Sequence, residues 1–183
     1  VKAAECGTGC TEQRTKPTND IKSIIEEVTG RQGWCGGNAI TIFIEASSPT
    51  ADQMRLLHSR DSTDAQLAPS LFYTYMPQSG CMNKTEVAQI ARSGDDAEQF
   101  NDSYSGNRVS TVGNDLVLGD DTDSGRGNQI VGLRFSEVDI PKQATIKSAH
   151  IEFRAKGKST GAASYTIKGI NEDNIGAFRS KKD

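Results

Sequence analysis

Between Gln129 and Phe153 apolar and polar residues alternate in two runs, 129–135 and 146–153, separated by a short segment that carries Pro141. This alternation predicts two strands joined by a compact crossover. Proline has no N–H to give to a ladder, so Pro141 belongs between the strands. In the second run Ala149, Ile151, Phe153 and Ala155 fall on one side, and Ser148, His150, Glu152 and Arg154 on the other. One face is then buried and one wet, as in an antiparallel sheet packed on a core.

Shorter patterns surround this pair. Ile21, Ile24, Ile25 and Val28 recur at helical spacing, with Asn19 or Asp20 as a cap and Gly30 as a stop. They predict one amphipathic helix lying on the sandwich. Residues 33–38, with three glycines, read as a tight loop feeding a strand over 39–45, in which Ile40, Ile42 and Ile44 face inward and Phe43 outward. Other strands are expected over 71–75 (Tyr73 and Tyr75 on one face), 86–90, 115–118 and 164–170, with a short one around Met54, Leu56 and Leu57. The span 93–114 reads as a long polar connection, and the tail 177–183 as charged and loosely held.

Eighteen glycines among 183 residues, with abundant Ser, Thr, Asn and Asp, agree with a turn-rich β protein. Net charge is −3, and Lys and Arg form no basic stripe interleaved with aromatics, which argues against a nucleic-acid partner. No apolar run approaches the roughly 18–20 residues that cross a bilayer, so membrane insertion is not expected. Val1 reads as the start of a processed polypeptide.

The run Val131-Gly132-Leu133-Arg134-Phe135, then Asp139-Ile140-Pro141-Lys142-Gln143-Ala144-Thr145-Ile146-Lys147-Ser148-Ala149-His150-Ile151-Glu152-Phe153, resembles the "LRF…IPxGATIxSAxIxF" signature of DNRLRE-type β-sandwich (jelly-roll) modules. Ser93-Gly94-Asp95-Asp96-Ala97-Glu98, Asp115-Leu116-Val117-Leu118 and the segment Gly169…Asp173-Asn174 fit the opening half of that module in order. Such modules occur in secreted bacterial and archaeal proteins, among them carbohydrate-binding modules and surface adhesins, so the resemblance implies an extracellular or cell-surface location.

The stretches Pro17-Thr18-Asn19-Asp20-Ile21, Gly33-Trp34, Gly37-Asn38-Ala39 and Ala68-Pro69-Ser70-Leu71 to Tyr75 are similar to the closing half of the same module, yet here they come first. The resemblance therefore implies a circular permutation: a closing half over 1–77, a linker over 78–85 and an opening half over 86–183. The expected fold is a mainly β, antiparallel sandwich, jelly-roll-like, with one short amphipathic helix. It is either closed within the chain or completed by strand exchange with a neighbouring subunit. The second arrangement is heterologous and yields filaments unless it closes into a ring. The chain would then also read as one repeat of an array.

In a secreted protein the four cysteines, Cys6, Cys10, Cys35 and Cys81, are expected to form two disulfides. They include no CxxC, and two histidines supply a zinc site poorly. Three connectivities exist, of which Cys6–Cys10 with Cys35–Cys81 is preferred; the alternative to any disulfide is free buried thiols in a reducing compartment. Asp95-Asp96, aided by Asp173 in the family-like loop, offers oxygen ligands for Ca2+, and Asp120-Asp121-Thr122-Asp123 is a poorer candidate. Relatives often carry an acidic pair after the "IxF" strand, where this chain has Lys156-Gly157.

Trp34, the only tryptophan, is a ligand-stacking candidate or else a core plug. Tyr73, Tyr75, Tyr104 and Tyr165 are further sugar-binding candidates. No HExxH, P-loop or GxSxG motif appears, and neither His58 nor His150 has an evident nucleophile, so no enzyme is expected. Two functions follow. One is a structural subunit of an extracellular filament built from copies of itself. The other is a secreted polysaccharide-binding or adhesion module that folds alone.

Overall fold

The computed structural model describes residues 15–47, 54–100, 107–121, 125–157 and 163–181. Along the chain run β1 (Thr15–Pro17), α1 (Lys22–Thr29), β2 (Asn38–Ala46), β3 (Arg55–His58), β4 (Ser70–Met76) and β5 (Lys84–Gln89). There follow β6 (Asp96–Gln99), β7 (Val109–Ser110), β8 (Asp115–Asp120), β9 (Asn128–Val138), β10 (Thr145–Arg154) and β11 (Tyr165–Gly169). One antiparallel sheet has the order β1-β10-β4-β5, and the other runs β11-β2-β9-β6-β7, with β8 bonded to β9 and carrying β3. Among the described residues they make a mainly β sandwich with one α-helix.

The strands β9 and β10 lie in opposite sheets. Their connection carries the chain across the core, with Val138 and Ile140 fully buried, so the crossover joins layers rather than neighbours in one ladder. Alternation sets which face each strand buries: Val131, Leu133 and Phe135 of β9 meet Ile146, Ala149, Ile151 and Phe153 of β10 in the middle. The turn before β2 needs left-handed backbone at Gly36 (φ 84°) and Gly37 (φ 71°), where a side chain would be strained.

The two halves do not form separate centres. β2, from the first half, lies between β9 and β11 of the second, and β10 lies between β1 and β4. Ile25, Ile40, Ile44 and Leu71 share one core with Leu133, Phe135, Ile146 and Ile151. Helix α1 contributes Ile25 and Val28 to it, and Ile21, just before the helix, joins them. Asp20 starts the helix by accepting the Lys22 N–H at 2.9 Å, and the same oxygen takes the Ala149 N–H, tying the helix to β10.

Two expectations change. The span 93–114 contains β6 and β7, a pair on the β9 edge. The tail is a strap, not a loose end. Asn174 Oδ1 accepts from the Ala39 N–H, Ile175 O from Arg134, Phe178 donates its N–H to Gly94 O, and Lys181 bridges Val109. Phe178 lies on Phe43, with ring centroids 6.2 Å apart, over Gly132, where a Cβ would come within 2.8 Å of its ring. Phe178→Ala should cost about 1–2 kcal/mol, since the ring is only partly buried, and should expose the strap to protease. Urea midpoints and cleavage rates measure both. Unchanged values would show that the strap holds without its aromatic anchor.

Candidate functional site

The outer face of the four-stranded sheet gathers the side chains with most chemistry on offer. The register of β10, β4 and β5 sets His150, Phe72 and Val87 in one row across three strands. The Phe72 and His150 rings are stacked, with centroids 5.2 Å apart and planes at 4°. Val87 is 52% exposed, and Met82, in the turn before β5, 79%. Polar rows flank this apolar strip: Thr74 and Thr85 bond through their hydroxyls at 2.9 Å, and Ser70 pairs with Gln89 on the other side.

Beyond His150 a groove of about 350 Å³ opens between residues 17–20 and β10. Its polar lining includes Asp20, His150 and Glu152. Glu152 lies 3.5 Å from His150 Nε2 and 3.7 Å from Arg154 Nη1. The Ala149 and Lys22 N–H groups hold the Asp20 carboxyl below its ordinary value, so it is anionic at neutral pH. The face thus offers an apolar strip, hydroxyl and amide edges, a fixed anion and an imidazole.

The other predicted site residues fall elsewhere. Trp34 is 1% exposed and donates its indole N–H to Ile140 O at 2.7 Å, so it fills the core at the crossover and presents no face for stacking. Tyr73 and Tyr75 are also core residues, Tyr165 packs against the core, and Tyr104 lies outside the described residues. Cys35 and Cys81 are free and exposed, so the expected bridge between them is not formed; Cys6 and Cys10 lie outside the described residues.

The carboxylates Asp95, Asp96 and Asp173 do not converge. Asp95 is fully buried against Arg134, with Nη1 to Oδ1 at 2.6 Å. Asp96 accepts the Arg60 N–H at 2.7 Å, and burial pushes its carboxyl up to about 7. Asp173 is exposed and reaches the backbone of Gly33. Among the described residues no group of three or more His, Cys, Asp or Glu side chains is disposed to hold a metal ion. Of the second acidic loop, Asp121 packs against Gln129 and Arg126, and 122–124 lie outside the described residues.

His150 and Glu152 were placed on the polar side of their strand by alternation alone. Phe72 and Val87 were missed, because only the pairing of β4 with β10 and β5 brings them beside His150. No model of a known protein family matches the chain, and no curated protein or solved structure does.

Proposed function

We propose that this chain is a self-contained extracellular binding module that takes a polysaccharide on the outer face of the four-stranded sheet. The His150–Phe72–Val87 row with its hydroxyl and carboxylate rim carries the reading. Sugar rings present C–H surfaces to an apolar strip and hydroxyls to a polar border. The resemblance to DNRLRE-type modules supplies the compartment and the ligand class. Two of the sheet edges, β5 and β7, agree with a module that stands alone. On the edge strand β5, Glu86 pairs with Tyr73 and Lys84 with Tyr75, so both charges lie on the inward-facing side of an edge where they stay exposed, which resists addition of a further strand. The β7 edge is capped by Lys181.

Retention on a panel of insoluble polysaccharides tests this. Phe72→Ala and His150→Ala should each weaken binding about tenfold, close to 1.4 kcal/mol, while leaving the fold intact by circular dichroism. A wild-type chain retained on none of the panel would remove the proposal.

A second reading, a filament of copies that complete one another's sandwiches, is favoured by one observation. A single connection, residues 77–83, joins halves that interleave in both sheets, so opening it would leave two half-sandwiches that neighbours can complete. Light scattering separates the two readings: exchange produces species that grow with concentration, and a binding module stays monomeric.

A further inference from the structure

The strand β3 brings a lysine and an aspartate together at the open end of the β3–β8 pair. Asp115, the first residue of β8, sits opposite His58 in the ladder. Leu57 bridges Ala155, and the Lys156 N–H donates to Leu56 O at 2.9 Å. Both backbones are therefore fixed by the same short strand, and the Lys156 ammonium is in direct contact with Asp115 Oδ1. Each side chain is 35% exposed, so water reaches one side of the pair and protein closes the other.

Two buried titratable groups flank it. His58 is Asp115's cross-strand partner and is 8% exposed, with Nδ1 unpartnered. Burial, then the charge of Lys156, lower its pKa and keep the imidazole neutral. Glu98 is 4% exposed and accepts the Val117 N–H through Oε1, which directs its other oxygen toward Gly113 and the start of β8. Burial raises its carboxyl to about 7, with the Asp115 charge contributing, so it is part-protonated at neutral pH. The charge of Asp64 also acts on His58, and those of Arg126 and Asp121 act on Glu98.

We infer that Lys156 and Asp115 are the two ends of an autocatalytic intramolecular amide crosslink between β8 and the segment after β10. His58 takes a proton from the Lys156 ammonium, and the freed amine attacks Asp115 Cγ while Glu98 gives its proton to the carboxylate. The Nζ–Cγ bond forms, the bond from Cγ to the protonated oxygen breaks, and one water leaves. The protons lost by Nζ end on that water, and His58 and Glu98 return to their starting states. No oxidant, metal or second molecule is needed. Holding amine and carboxyl at contact supplies the effective concentration that makes such a condensation accessible in water.

Intact mass spectrometry of the folded chain, reduced and denatured just before measurement, reads the outcome. The expected mass is lower than the sequence mass by one molecule of water. Tryptic digestion should give a branched peptide joining Asp115 to Lys156, with no cleavage after Lys156. Lys156→Arg should restore the full mass, and Glu98→Gln should slow the loss of water at least tenfold while leaving both reacting residues in place. The full mass in the wild type after prolonged incubation at neutral pH would overturn the inference. So would a loss of water that persists in Lys156→Arg.

Discussion

Replacing Arg134 with methionine is expected to lower stability by about 3–5 kcal/mol, enough to bring an ordinary domain near its unfolding threshold. The reason lies in what remains behind. Asp95 is 0% exposed, its Oδ1 is bonded to Arg134 Nη1 at 2.6 Å, and its Oδ2 has no partner. Methionine fills much of the arginine's volume but leaves a charge in the interior with nothing to balance it. The same substitution strips Ile175 O of its donor, the Arg134 Nε–H at 2.6 Å, and so loosens the strap over the larger sheet.

A double variant separates the two effects. Arg134→Met with Asp95→Leu removes both charges and should recover most of the loss, because a buried pair is often no better than apolar residues of similar size. The strap should still be cut faster by protease in the double variant, since Ile175 remains without its donor. Urea unfolding at neutral pH checks the first part and limited proteolysis the second. A single variant that loses under about 1 kcal/mol would mean that Asp95 reaches water or another partner once the guanidinium is gone.

These residues also mark where the sequence stops being legible. Elements whose apolar residues recur at a clean period were readable: the inward face of β2, the α1 stripe and the alternation of β9 and β10 all stand as expected. The readings that changed turned on contacts between distant segments, and in β6 on polar residues in buried places as well. Asp96 and Glu98 alternate as a strand should, facing the core side opposite Leu133 and Val131, but carboxylates there disguise β6 as a loop. The tail looked charged, yet Phe178 and backbone bonds to Gly94 and Val109 hold it. No local pattern shows that β9 and β10 belong to different layers. That follows from strand pairing, β10 with β1 and β4, β9 with β2 and β6. Trp34 illustrates the same limit, since a tryptophan among glycines suits a binding platform and a core plug equally well until its burial is known.

The buried carboxyls make stability depend on pH in the direction opposite to that of most acidic side chains. Burial raises Asp96 from an ordinary 3.8 to about 7 and Glu98 from 4.5 to about 7; the N–H groups of Arg60 and Val117 oppose the rise without cancelling it. A raised folded-state value means that the native state holds these protons more tightly than the unfolded chain. Between the ordinary carboxyl range and about 7 the folded form therefore binds more protons, and stability falls as pH rises through that window. The contribution is complete below pH 4 and lost above about pH 7. At about 1.4 kcal/mol per pKa unit, Asp96 is worth on the order of 4 kcal/mol across the interval and Glu98 somewhat less. The chain should therefore unfold at lower urea at pH 8.5 than at pH 5.5. Asp96→Asn keeps an acceptor for the Arg60 N–H but cannot ionise, so it should flatten that decline and gain stability over the wild type on the alkaline side. Equal slopes for the two proteins from pH 5.5 to 8.5 would mean that Asp96 is ionised and solvated in the folded state.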